Sequence, residues 1–389
     1  MSPTCHYRRP DWSPCYRRFN IRLPHYGPFH VMQLQHAERV CATHPSPIPE
    51  NGPPFLALAV TSKPSQRGLR DAIRLQWAEW DNPPWDITPS WFVGRFALGI
   101  SRAGADKSSV PYEELIREQG TQRDLLFVNL TASDRGTIRD ASLGWWRLAH
   151  RFFPTAAYIA KCDDDTFIHI PRLLHHMRNL GCHPSLYLGA IDFGTFNTSS
   201  NRVICWSWTW DKKIAQRCEQ SAGRRPIPFA AGALECLSNN LARHLATSSE
   251  VAAAVERVIR LPLRGRARSH EDVLIGQWLS AAPHAVSYVD MDYQFMHNLA
   301  CVETENYPYL IPWNRSLVVH DAKTAEAQAY VHAIVSHSAR PDWHACVKAT
   351  AARMRARRKP YVRAYKRLIR KDGQHAAVTA HVNGKERIR

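Results

Sequence analysis

The chain of 389 residues carries 51 Lys and Arg against 34 Asp and Glu, a net charge of +17, and 44% of it is hydrophobic, enough for one large core or two ordinary ones. Fourteen basic residues against two acids fall between Lys348 and Arg389, so the 347 residues before them carry only +5, which argues against a nucleic-acid-binding fold. No run reaches the roughly 18 apolar residues of a membrane span, and the first fifty residues lack a signal-peptide hydrophobic region, so the N-terminus reads as incomplete or as that of a soluble protein.

Residues 1–54 are rich in Pro, Arg and His with little periodicity and read as a stem or poorly ordered segment. Phe55 to Thr61 (FLALAVT) is a short continuous apolar run, the pattern of a strand buried on both faces. A helix is expected over Gln66 to Trp80, strands over Trp91 to Ile100 and Asp124 to Leu130, and an amphipathic stretch over Tyr112 to Gln119. Between Thr137 and Phe153, Ile138, Ala141, Trp145, Leu148 and Phe152 recur three or four residues apart, which predicts a helix with one apolar face. The alternation predicts an α/β layered sheet.

The segment Ala157 to Ile170 (AYIAKCDDDTFIHI) sets three consecutive carboxylates at the end of an apolar strand. Adjacent carboxylates repel, and a bound divalent cation relieves the conflict. Hard oxygen ligands suit Mg²⁺ or Mn²⁺, whose open positions substrate phosphates fill. The competing reading is an acidic turn closing a hairpin between Tyr158 to Lys161 and Thr166 to Ile170.

Val203 to Trp210 (VICWSWTW) places Trp206, Trp208 and Trp210 on one face if extended, either as core or as a platform for sugar rings. Ser269 to Asp272 fits a capping box opening a helix that contains Val273, Ile275 and Trp278. Residues 326–389 read as a basic, helical tail after a domain spanning 55–325. The tail is either a solvated helix or a surface for RNA or anionic membrane. The ten cysteines lack paired C-x-x-C spacing, so zinc is not indicated while disulfides remain open.

Five ordered blocks then resemble the β-1,3-galactosyltransferase family, glycosyltransferase family 31, whose GT-A nucleotide-sugar fold implies an α/β, Rossmann-like twisted mixed sheet flanked by helices. RGLRDAIRLQW (Arg67 to Trp77) is similar to R-x-A-I-R-x-T-W, with Gln76 in place of Thr. Leu125 to Asp165 carries Asp134, Gly144 with Trp146, Pro154, and Lys161 with the Asp triplet in the family's order. PFAAGALECLS (Pro228 to Ser238) resembles P-Y-x-x-G-x-G-Y-x-L-S, with Ala233 and Leu234 where the second Gly is usual. EDVLIG (Glu271 to Gly276) and Val319-His320 with Lys323 complete the set.

The resemblance implies a UDP-sugar donor and a glycan acceptor, with Mn²⁺ or Mg²⁺ held by Asp165 and His320, and Asp163 and Asp164 facing the ribose and donor sugar. It also implies Arg67, Arg70, Arg74 and Lys323 in the donor pocket and Gly232 along the donor and acceptor loop, beside which Trp206 and Trp208 of the aromatic stripe would serve as the acceptor platform. Asp272 would be the general base of an inverting transfer, with Glu271 orienting the acceptor or its loop, and the protein would work in the Golgi lumen or at its membrane. Two other classes stay open: a metal-dependent phosphohydrolase or nuclease, and a catalytically silent glycan- or nucleic-acid-binding protein.

Overall fold

The computed structural model describes residues 29–43, 54–77, 92–101, 112–130, 138–197, 202–207, 212–223, 225–259, 271–291, 295–299 and 315–337. Its strands are β1 (Val31–Gln33), β2 (Leu56–Ser62), β3 (Phe92–Ser101), β4 (Leu125–Leu130), β5 (Tyr158–Asp163), β6 (Phe167–Ile168), β7 (Leu186–Asn197), β8 (Arg202–Ser207), β9 (Ile227–Ser238), β10 (Ser287–Asp290), β11 (Met296–Asn298) and β12 (Val318–His320). Its helices are α1 (Leu34–Ala42), α2 (Arg67–Gln76), α3 (Tyr112–Gln122), α4 (Ile138–Phe152), α5 (Ile170–Arg178), α6 (Lys212–Ala222), α7 (Asn239–Thr247), α8 (Ser249–Ile259), α9 (Glu271–Leu279) and α10 (Ala325–His337).

One mixed sheet has the order β1-β10-β7-β9-β5-β2-β3-β4, with β8 paired to β7, and a second sheet has the order β11-β12-β6. β5, β2, β3 and β4 run parallel, while β9 runs against both β5 and β7. β7, β10 and β1 then continue parallel to one another.

All seven residues of β2 are buried, and their alternation explains the layers on either side. Leu56, Leu58 and Val60 enter one core with Ile73, Trp77, Leu173 and Val331. Ala57 and Ala59 enter the other, where their small side chains leave room for the indoles of Trp145 and Trp146 on α4. Helices α1, α2, α5 and α10 feed the first core and α4, α7, α8 and α9 the second, giving a sheet flanked by helices.

Three expectations change. On α4 the buried stripe runs through Ala141, Trp145, Trp146 and Ala149, while Phe152 turns outward at 48% exposure. Residues 29–43, read from composition as part of a stem, belong to the fold: β1 extends the sheet beside β10, α1 buries Leu34, Ala37 and Cys41, and a disulfide joins Cys41 to Cys182. The elements are too short for periodicity to show.

At the other end, α10, read as the start of the basic tail, carries no Lys or Arg and buries Ala327, Gln328, Val331, Ile334 and Val335. The basic segment itself lies outside the described residues. A second disulfide joins Cys205 of β8 to Cys218 of α6.

Candidate active site

The chain passes from β2 outward to β3 and β4, and α4 then returns it so that β5 pairs on the other side of β2. A parallel sheet opens a crevice at the carboxyl ends of strands where its order reverses in this way. Thr61 and Ser62 end β2 there, and Asp163 ends β5. The Asp run is a turn, with the Thr166 N–H donating to the Asp163 carbonyl at 3.1 Å, but it closes no hairpin. β5 pairs β2 and β9, whereas β6 leaves to pair β12.

The three acids have separate environments. Asp163 accepts from Thr61 Oγ1 at 3.1 Å and lies 3.1 Å from Lys161 Nζ. Asp164 is buried and accepts from Ser62 Oγ at 2.8 Å; burial pushes its carboxyl up to about 6 despite that hydroxyl. Burial also opposes the charge on Asp165, but His320 Nε2 and Lys323 Nζ, each 3.3 Å away, outweigh it and hold the carboxyl down to about 2. His320 is raised in turn, because Asp165 overcomes the burial that disfavours an imidazolium.

Asp163, Asp165 and His320 offer ligand atoms that all lie within 4.8 Å of one another. Asp165 Oδ1 is buried, receives no hydrogen bond, and faces the imidazole at 3.3 Å. Two adjacent ligands on an ion about 2.1 Å from each stand roughly 3 Å apart, so the residues fit a small divalent cation. This adds Asp163 to the pair expected from the sequence.

The loop after β12 is shaped for the task. Asp321 adopts φ 70°, which short polar side chains tolerate, and the Ala322 N–H reaches the Asp165 carbonyl at 2.7 Å. Lys323 lies 2.9 Å from Asp321 and is half exposed. Gln328 of α10 donates to the carbonyls of Thr166 and Ala322 at 3.3 and 3.1 Å, tying the Asp turn to this loop.

Beside the metal-ligand group lies a second cluster. Lys161 is fully buried, with its Nζ 3.3 Å from Glu235 Oε1, 3.5 Å from Glu271 Oε1 and 3.3 Å from the Gly232 carbonyl. Burial works against its ammonium, but Asp163, Glu235, Glu271 and Asp272 hold it well above the ordinary lysine range. Burial pushes Glu235 up to about 8, with Lys161 opposing and Asp272 and Glu271 reinforcing.

Asp272 follows Glu271 in the first turn of α9, and its Oδ1 accepts from the Val273 N–H at 2.8 Å. Burial and the Glu271 carboxylate push it up to about 7 against Lys161. Gly276 sets the height of α9 over the sheet, since a Cβ there would stand 2.5 Å from Phe229 Cβ and 2.7 Å from the Pro228 carbonyl. Gly232 lines the same space, where a Cβ would be 3.3 Å from both Asp163 Oδ2 and Lys161 Nζ.

The arginines expected at a donor are held in ion pairs, with Arg70 also joined to Asp164 through Ser62. Arg70 is fully buried and forms a bidentate pair with Glu118 at 2.8 and 2.6 Å, its remaining donors going to the carbonyls of Lys63 and Pro64 and to Ser62 Oγ. Arg74 binds Asp124, Glu118 and Asp71 and lies over the Phe96 ring. Arg67 is half exposed beside Asp71. The guanidinium groups of Arg70 and Arg74 are thus engaged by acids of α3 and the turn before β4.

Trp208 and Trp210 lie outside the described residues, as does Ser269 of the expected capping box, and of Trp206 only the backbone in β8 is described. Sequence reasoning missed Glu235 and the hub role of Lys161. A lone charge inside an apolar strand, in IAKCD and again in ALECLS, is the signal that such a partner exists.

The chain is related to the β-1,3-galactosyltransferase family of glycosyltransferases. It is 32% identical over 140 residues to human UDP-GlcNAc:betaGal beta-1,3-N-acetylglucosaminyltransferase 8, covering 36% of this chain and 32% of that protein. It is 26% identical over 200 residues to gorilla beta-1,3-galactosyltransferase 5, covering 51% and 60%. A third relative, mouse UDP-GalNAc:beta-1,3-N-acetylgalactosaminyltransferase 1, is 31% identical over 145 residues, covering 35% and 39%. The chain thus spans from about a third to 60% of the length of these curated relatives.

No protein-family model matches the chain. Among solved structures, the galactosyltransferase LgtC superposes at a TM-score of 0.37 with 10% identity, over 75% of this chain and 99% of that one. Mouse xyloside xylosyltransferase 1 gives 0.34 with 10% identity, over 69% and 97%.

Proposed function

We propose that this chain is a metal-dependent, inverting β-1,3-glycosyltransferase with a GT-A-type fold, moving a hexose of the galactose or N-acetylglucosamine type from a UDP-sugar to a 3-hydroxyl of a glycan acceptor. One observation carries the reading: at the carboxyl ends of β2 and β5, an Asp163, Asp165 and His320 group stands beside the acidic first turn of α9, with Lys161 between them.

Asp165 and His320, joined by Asp163, are the residues that would hold Mn²⁺ or Mg²⁺. Bound there, the ion would neutralise charge growing on the departing nucleoside diphosphate. Lys323, half exposed beside Asp165, adds a positive charge on the same side. Asp164 is buried and accepts from Ser62, so its part is to fix the turn.

Asp272 is the general base. It takes the proton of the acceptor hydroxyl as that oxygen bonds to the anomeric carbon and the bond to the diphosphate breaks. A carboxyl raised to about 7 is matched to that task near neutral pH. Glu271, anchored on Lys161, orients the turn that presents Asp272.

The disulfides Cys41–Cys182 and Cys205–Cys218 support an oxidising compartment, in keeping with work in the Golgi lumen. Among the described residues no helix is long and apolar enough to cross a membrane.

The reading is tested by calorimetric titration of UDP into the protein with Mn²⁺ and again with EDTA. Metal-dependent binding is expected, weakened by Asp165→Ala. A folded sample that binds in neither condition would remove the nucleotide-sugar site.

A further inference from the structure

Lys161 and Glu235 meet through the register of the sheet. Lys161 of β5 pairs directly with Glu235 of β9, and Glu235 pairs on its other side with Gly189 of β7. At Gly189 a Cβ would stand 2.5 Å from Ala230 Cβ and from the Leu234 carbonyl, so β7 and β9 close tightly at this level.

The three N–H bonds of Lys161 face four oxygens, those of Asp163, Glu235, Glu271 and the Gly232 carbonyl. Those oxygens come from β5, β9 and α9. Glu235 Oε2 is buried without a hydrogen-bond partner, so that acid is committed to the ammonium through Oε1 alone. A lysine that only balanced charge would need one such neighbour. This one joins a metal-ligand strand to the helix that bears the base.

Resting on the glycosyltransferase reading above, we propose that Lys161 is a positioning residue for transfer: its buried ammonium, shared with Glu235, fixes the acidic first turn of α9 against the metal-binding end of β5. Neither side chain touches substrate in this account. Both act through where Glu271 and Asp272 stand.

The test compares K161M with K161M/E235Q. K161M leaves Glu235 buried without the partner that Oε1 faces and lowers the Tm; adding E235Q replaces that acid with a neutral amide and recovers much of it. UDP release from UDP-galactose and from UDP-N-acetylglucosamine with β-linked disaccharide acceptors, and amide exchange of the peptide 271–279, are measured alongside.

Expected for the double variant is a recovered Tm with kcat still reduced on the order of 100-fold, the cost of a misplacement of about 1 Å. Exchange across 271–279 should also be faster than in wild type, with 186–197 unchanged. A double variant that regains both Tm and kcat, or shows unaltered exchange in α9, overturns the proposal. If wild-type protein binds no UDP with Mn²⁺, the glycosyltransferase reading falls, and α9 exchange alone then decides whether Lys161 tethers the helix.

Discussion

Single residues decide the chemistry proposed here, and Asp272 most directly. Its amide variant, Asp272→Asn, keeps shape but accepts no proton, so transfer should fall at least a hundredfold while Mn²⁺-dependent UDP affinity stays at the wild-type value. Only the ionised carboxyl is a base, and its pKa is raised to about 7, so kcat should drop as pH falls through that value and level off above it. A pH profile with no acid limb between about 6 and 8 would detach the base from Asp272. Arg70 offers the contrasting case. Removing its guanidinium by Arg70→Met leaves the buried Glu118 with Arg74 as its one remaining guanidinium partner, and a loss of about 1–3 kcal/mol in chemical denaturation is expected. The sequence showed Arg70 and Arg74 inside a motif, but a guanidinium in a motif announces a charge and not its partner. Glu118 and Asp124 lie 48 and 50 residues further along the chain, beyond any local pattern.

Among the elements, α9 bears the most on function because its height over β9 sets where Asp272 stands. Gly276→Ala places a methyl group against Phe229 and the Pro228 carbonyl, so the helix must lift. The expected outcome is a loss of about 1–3 kcal/mol by thermal or denaturant melting, with transfer reduced further than the folded fraction explains. The strands that carry the site were readable as apolar runs, and the acids and histidine of the distant blocks do converge at one end of the sheet. What could not be read was register. The pairing of Lys161 with Glu235 depends on which residue of β9 stands opposite which residue of β5, and a slip of one would turn Glu235 to the other face. Short elements escaped for a related reason. Strand β1 has three residues and β6 two, too few for a period to declare itself.

Over the whole molecule, some ties bear on stability and not on the site. Replacing both Cys41 and Cys182 by Ser removes a link across 141 residues of sequence, and a loss of about 2–4 kcal/mol is expected in denaturant melts. Metal-dependent UDP binding should persist in that variant, since the disulfide lies away from the Asp turn. The register gives the bearing of the N-terminal strand. Val31 stands level with Ile159 through Tyr288, Tyr187 and Leu237, and Gln33 stands level with Lys161. The polypeptide therefore enters its sheet at the pole away from the carboxylates and runs toward them. A handle fixed at the start of β1 would therefore sit toward the end of the sheet opposite the Asp turn, leaving the carboxylates on the far side from whatever holds it.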